Sequence, residues 1–135
     1  MFNLHPQLEQ DSILIGRFGL CQIRLINDSN YPWVLLVPER EDVTEIHQLS
    51  IEDRSLLAEE SAFLSATLAE LFKADKMNSA AIGNMVPQLH VHHIVRYQTD
   101  PAWPAPVWGK HPMKPYTDEA LEETADKIAA ALQLN

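Results

Sequence analysis

Three of the chain's six histidines fall within one seven-residue run, Gln88-Leu89-His90-Val91-His92-His93-Ile94. The run alternates in the manner of a β-strand, which sends successive side chains to opposite faces. Gln88, His90, His92 and Arg96 then share one face, while Leu89, Val91, His93 and Val95 share the other. Two imidazoles, a carboxamide and a guanidinium along one strand form a surface suited to phosphate or to a metal ion. The apolar residues opposite would anchor that surface to a core.

Three chemistries compete for these residues. His90 as a neutral imidazole, the common form near neutral pH, can attack phosphorus and divide one difficult displacement into two easier ones. Its neighbours would then hydrogen-bond the phosphoryl oxygens. Alternatively, His90 and His92 are metal ligands. His93 points away in a regular strand, so a third ligand has to come from elsewhere, such as His5, His47 or His111, none at a recognisable spacing. The third reading is structural: the rings are packing or surface residues, which suits His93 on the apolar face best.

The elements that must position this strand are legible around it. Residues 1–11 carry little pattern and read as a lead-in segment. Ile13-Leu14-Ile15 and Cys21–Ile26 read as strands separated by Gly16 and Gly19. Asn27-Asp28-Ser29-Asn30 is a turn, and Trp33–Val37 is a buried strand stopped by Pro38, so 21–26 and 33–37 predict a hairpin. Val43–Leu49 suggests a short helix. Ser50 caps the longest helix, running to about Phe72, with Glu52 and Asp53 favourable to its dipole and Leu57, Leu64, Leu68 and Leu71 on one apolar side. Met77–Ile82 is another strand, and Gly83–Pro87 a tight connection into the histidine strand. A Pro- and Trp-rich loop spans 101–109, and Thr117 caps a final helix to Leu132. There are no internal repeats, and the whole of 1–135 reads as one domain.

Composition narrows the function. The chain is 46% hydrophobic and 21% charged, ordinary for a globular protein, and no apolar run approaches bilayer-spanning length. A net charge of −9 argues against a general grip on nucleic acid, but leaves room for a small phosphorylated ligand at a locally positive site. Cys21 is the only cysteine, which excludes an internal disulfide framework and suits a reducing cytoplasm. The first residues carry no basic-then-apolar pattern, so no secretory signal is expected.

The histidine strand resembles the signature of the histidine triad family, His-φ-His-φ-His-φ-φ with φ apolar. Gln88 takes the first histidine position, His90 the middle and His92 the last, with His93 and Ile94 in the trailing positions. Leu25-Ile26-Asn27, a turn, and Trp33–Pro38 are similar to the family's hairpin, and the likeness covers roughly residues 20–100. It implies an α+β fold with an antiparallel sheet of about five strands, a long central helix and a C-terminal helix. It further implies a homodimer that binds nucleotides and transfers or hydrolyses at the α-phosphate through a nucleotidyl-histidine intermediate, with no required metal or cofactor. Dinucleoside polyphosphates and nucleoside phosphoramidates are the expected substrates. The alternatives are a nucleotide-binding module of low turnover, because Gln88 cannot titrate, and a metal-dependent hydrolase with His90 and His92 as ligands.

Carried over residue by residue, the resemblance implies that His90 is the nucleophile and that His92 contacts phosphoryl oxygens. Asn27, with Asp28 close behind, would hold the ribose hydroxyls, and Asn84 with the 83–87 amides would face phosphate. Two readings stay open for Arg96, a phosphate contact or a surface salt bridge. Two also stay open for Trp103 and Trp108, covering the base or partner subunit versus pinning their loop. Lys110 and Lys114 would add local positive charge.

Overall fold

A computed structural model describes residues 1–134. Five antiparallel strands form one sheet in the order β1-β2-β3-β5-β4, where β1 is Ser12–Arg17, β2 Cys21–Ile26, β3 Trp33–Pro38, β4 Lys76–Ala80 and β5 Val91–Arg96. The predicted hairpin forms between β2 and β3, with Leu25 opposite Val34. Strand β5 enters between β3 and β4, so His92 faces Leu35 on one side and Ala80 on the other. This makes the histidine strand central rather than peripheral, and β2, β3 and β5 are buried along their whole length.

Two helices cover one face of the sheet. Helix α2, Ile51–Phe72, is capped by the Ser50 hydroxyl accepting from the Asp53 N–H and ends at Lys73 in left-handed geometry. Helix α3, Asp118–Ala131, is capped by Thr117 accepting from the Ala120 N–H. Leu57, Leu64 and Leu68 of α2 and Leu121, Ala125 and Ile128 of α3 meet Ile23, Leu25, Val34, Leu36 and Val95 of the sheet. Each leucine so removed from water contributes about 2 kcal/mol, enough together to hold the sheet flat against the helix pair.

The opposite face carries His92 and is covered by loops and one short helix instead. Leu8, Ala102 and Val107 pack there on Ile26, Trp33, Leu35, Val37 and Ile94. Leu8 belongs to helix α1, Pro6–Asp11, which lies within the segment expected to be featureless. His5 caps it through Nδ1, which accepts from the Gln7 N–H, and Pro6 supplies a first helical residue that needs no partner for its nitrogen. The short helix expected at Val43–Leu49 reduces to a single 3-10 turn at Ile46–Gln48. Strand β1 is longer than Ile13–Ile15 and carries a bulge between Leu14 and Gly16. No described helix is long and apolar enough to cross a membrane.

Candidate active site

Strand β5 begins only at Val91, so Gln88, Leu89 and His90 form an irregular lead into it rather than its first residues. The two rings nevertheless meet as the alternation predicts, with the His90 and His92 centroids 4.9 Å apart. His90 Nδ1 lies 2.7 Å from the Gln88 carbonyl oxygen. A carbonyl only accepts, so Nδ1 carries the proton and Nε2 is left with its lone pair. His92 is held in the opposite tautomer: the indole N–H of Trp33 donates to its Nδ1 at 3.0 Å, which leaves Nε2 as the protonated nitrogen. One ring thus offers a lone pair and its neighbour an N–H. Trp33 is a residue that sequence reasoning assigned only to a buried strand. Its role depends on β3 pairing with β5, which the hairpin pattern alone does not reveal.

Trp108 closes over this pair, 5.1 Å from the His92 ring and 5.9 Å from Trp33, both edge-on. Burial, then the neighbouring His90 and His93 rings, push the His92 pKa down to about 3. His93 lies on the helix-covered face, where its ring bonds the Val91 carbonyl and, at 2.6 Å, the Ser61 hydroxyl of α2. Burial pushes its pKa down to about 4 against the opposing pull of the Val91 and Val34 backbone.

Both rings are therefore neutral in the folded chain at pH values where the unfolded chain has already protonated them. Since the unfolded state binds more protons between roughly pH 4 and 6.5, stability rises with pH across that window and is lost on acidification. The expected loss is roughly 2 kcal/mol per pH unit for the two rings together. Urea unfolding midpoints between about pH 7.5 and pH 5 measure it. A His93→Leu variant should show about half the slope, and a flat profile contradicts the buried neutral rings.

In front of His90 lies a cavity of about 450 Å³, within the range of small-ligand sites. The segment Thr44–His47, Arg54 of α2, Ala81–Gly83 and Pro87–His90 line it. Gly83, at φ +71°, turns the chain along this wall in a conformation that a side chain would strain. Gln88 touches the cavity, yet its carboxamide is committed elsewhere: Oε1 accepts from the His5 N–H and Nε2 donates to the Asn3 carbonyl, each at 2.8 Å. The residue expected to cradle phosphate instead fastens the N-terminal segment beside His90. Its own carbonyl is the one that orients His90.

Several expected site residues are drawn into the protein's own structure. Arg96 is fully buried and forked onto Asp100, with further bonds to the Asn78 side chain and the Ala105 carbonyl. It is neither a phosphate contact nor a surface salt bridge. Asn27 accepts from the Tyr116 N–H, and Asp28 accepts from the Asn30 and Lys114 N–H groups, so together they hold the 114–116 segment. Trp103 packs over the Arg96 guanidinium, and it is Trp108 that reaches the histidines. Asn84 is exposed and outside the cavity lining. His47 and Arg54 do line the cavity, although neither was singled out as a phosphate contact.

Among the described residues no three His, Cys, Asp or Glu side chains converge as a metal-holding group. His5 is occupied as the α1 cap, and His111 bonds the Pro101 carbonyl.

The arrangement has close counterparts. Residues 7–99 match the family model described as the HIT domain. A histidine triad protein from Marinobacter aquaeolei VT8 is 51% identical, with a TM-score of 0.96, covering 98% of this chain and 97% of its own. A histidine triad protein from Sinorhizobium meliloti 1021 is 43% identical, with a TM-score of 0.94 and 96% coverage of both chains. One from Bradyrhizobium japonicum is 40% identical, with a TM-score of 0.94, covering 97% of this chain and 98% of its own. No curated protein matches the chain. With the domain model spanning most of the sequence and these structures superposing along nearly all of it, the chain belongs to the histidine triad family.

Proposed function

We propose that this protein is a nucleotide hydrolase or transferase in which His90 bonds covalently to the α-phosphorus of its substrate. The observation that carries this reading is the Gln88 carbonyl holding the proton on His90 Nδ1, which leaves Nε2 an unencumbered nucleophile at the wall of a ligand-sized cavity. In the first step the Nε2 lone pair forms an N–P bond, the bond to the leaving group breaks, and its electrons depart with that group. The His92 Nε2–H then donates to a phosphoryl oxygen as charge accumulates there. Water or another hydroxyl acceptor then attacks phosphorus, the N–P bond breaks with its electron pair returning to His90 Nε2, and the proton of the attacking oxygen passes to solvent.

Dinucleoside polyphosphates and nucleoside phosphoramidates remain the substrate classes of this reading, a homodimer its assembly and the cytoplasm its compartment. Both edge strands of the sheet, β1 and β4, lack an outer strand partner among the described residues, and an open edge is a surface through which two copies can associate. The Gln88 carboxamide, which cannot titrate and is engaged by Asn3 and His5, favours a second reading, a nucleotide-binding module of low turnover.

The deciding experiment is a brief pulse with a diadenosine polyphosphate, followed by an alkaline denaturing quench, which spares the acid-labile P–N bond, and intact-mass measurement. The hydrolase reading expects an adenylyl adduct on wild type that is absent from His90→Ala. Tight nucleotide binding with neither adduct nor AMP release establishes the module instead.

A further inference from the structure

Arg54 is the one lysine or arginine lining the His90 cavity among the described residues. It sits in the first turns of α2, and its guanidinium is steadied by Nη1 donating to the carbonyls of Leu49, at 2.8 Å, and His47, at 3.3 Å. Its Nε and Nη2 have no partner among the described residues. The other arginines are satisfied differently. Arg17, Arg40 and Arg96 face the carboxylates of Glu39, Asp53 and Asp100, and Arg24 is closed off by Ser12 and Gln22. In a chain of net charge −9, a half-buried arginine held by carbonyls alone leaves a local positive charge unneutralised. The Glu45 N–H on the same wall donates to the Gln48 carboxamide, and no ion pair joins its carboxylate to Arg54 among the described residues.

The groups beside the nucleophile also limit what can leave. An amine leaves phosphorus only after collecting a proton, whereas a phosphate leaves as an anion and needs none. Gln88 carries a carboxamide, which is not an acid, and it is spent on Asn3 and His5. His92 stays neutral, its Nδ1 filled by the Trp33 N–H and its pKa pushed down to about 3, so it donates a hydrogen bond without surrendering a proton. What the site does supply is a cation.

We propose that Arg54 forms a leaving-group subsite that holds the departing phosphate of a phosphoanhydride, and that it selects anionic leaving groups over amines. The inference rests on the reading of His90 as nucleophile. As the His90 Nε2–P bond forms, the P–O bond to the bridging oxygen breaks. The electron pair goes to that oxygen, and the added negative charge meets the free face of the Arg54 guanidinium. In a phosphoramidate the P–N bond breaks, and neither Gln88 nor His92, the groups flanking His90, supplies its nitrogen with a proton.

The test compares kcat/KM for a diadenosine polyphosphate and for adenosine phosphoramidate, with wild type, Arg54→Gln and Arg54→Lys. Wild type is expected to prefer the anhydride by about ten-fold or more, Arg54→Gln to shrink that ratio by about ten-fold, and Arg54→Lys to fall between. The wild-type preference needs no variant and is decisive even if Arg54→Gln fails to fold. A wild type that turns over the phosphoramidate at least as well overturns the proposal, as does a folded Arg54→Gln with an unchanged ratio. If neither substrate labels His90, the nucleophile reading itself fails. If both label it while the ratio ignores Arg54, only the subsite assignment fails.

Discussion

His90→Ala is expected to hydrolyse a diadenosine polyphosphate on the order of 10⁴-fold more slowly than wild type, because on the proposed reading it removes the covalent nucleophile and with it the two-step route. No neighbour can replace it. His92 has its Nδ1 filled by the Trp33 indole and presents an N–H, not a lone pair, at Nε2. His93 lies on the other face of the sheet, bonded at both nitrogens. Gln88 carries an amide, which is not a nucleophile under these conditions. His92→Ala makes the informative contrast: it keeps the attacking ring and loses a donor to the phosphoryl oxygens, so the adduct still forms at a rate lowered by about 10²–10³. Both rings are largely buried, so thermal melting of each variant separates lost chemistry from lost fold. Equal turnover by wild type and His90→Ala would sink the assignment.

What was readable in the sequence follows the range of the interactions involved. The two-residue period placed His90 and His92 together and sent His93 to the other face, because a strand's alternation is local. The cap and apolar spacing of α2 were equally local, and the hairpin followed from its turn residues. The fate of Gln88 was not readable. Its partners are 83 and 85 residues away, and nothing in its own neighbourhood marks a side chain drawn toward the N-terminus. The tautomer of His92 depends on Trp33, 59 residues distant. Helix α1 is too short to show a period, and only Pro6 announces it. Trp103 and Trp108 share an irregular loop without periodicity, so only the folded chain distinguishes the one that reaches the histidines. The closure of Arg96, however, does carry a local signal: Asp100 directly before Pro101 is a turn-forming pattern, four residues along.

That closure makes Asp100→Ala the stability variant with the largest expected effect, a loss of about 3–5 kcal/mol. The side chains of Arg96 and Asp100 are 1% and 2% exposed, so the ion pair is shielded from the solvent screening that makes surface pairs weak. Asp100 also accepts the backbone N–H groups of Tyr97, Ala102 and Trp103, which shapes the turn leading into the Trp-rich loop. Burial pushes its carboxyl up, yet the Arg96 guanidinium and these N–H groups together hold it below the usual carboxylate range. Truncation would strand a buried guanidinium on Asn78 and a single carbonyl, beneath the rings of Tyr31 and Trp103. Chemical denaturation reads the loss directly. Pairing the change with Arg96→Met then tests its cause: if the penalty is the uncompensated charge, the double variant recovers much of the stability, because an apolar pair of similar volume carries no desolvation cost. The loop from Tyr97 onward carries Trp108 to the His92 ring. A folded Asp100→Ala protein should therefore also lose activity beyond its loss of stability, and unchanged turnover would show that Trp108 reaches the site without this anchor.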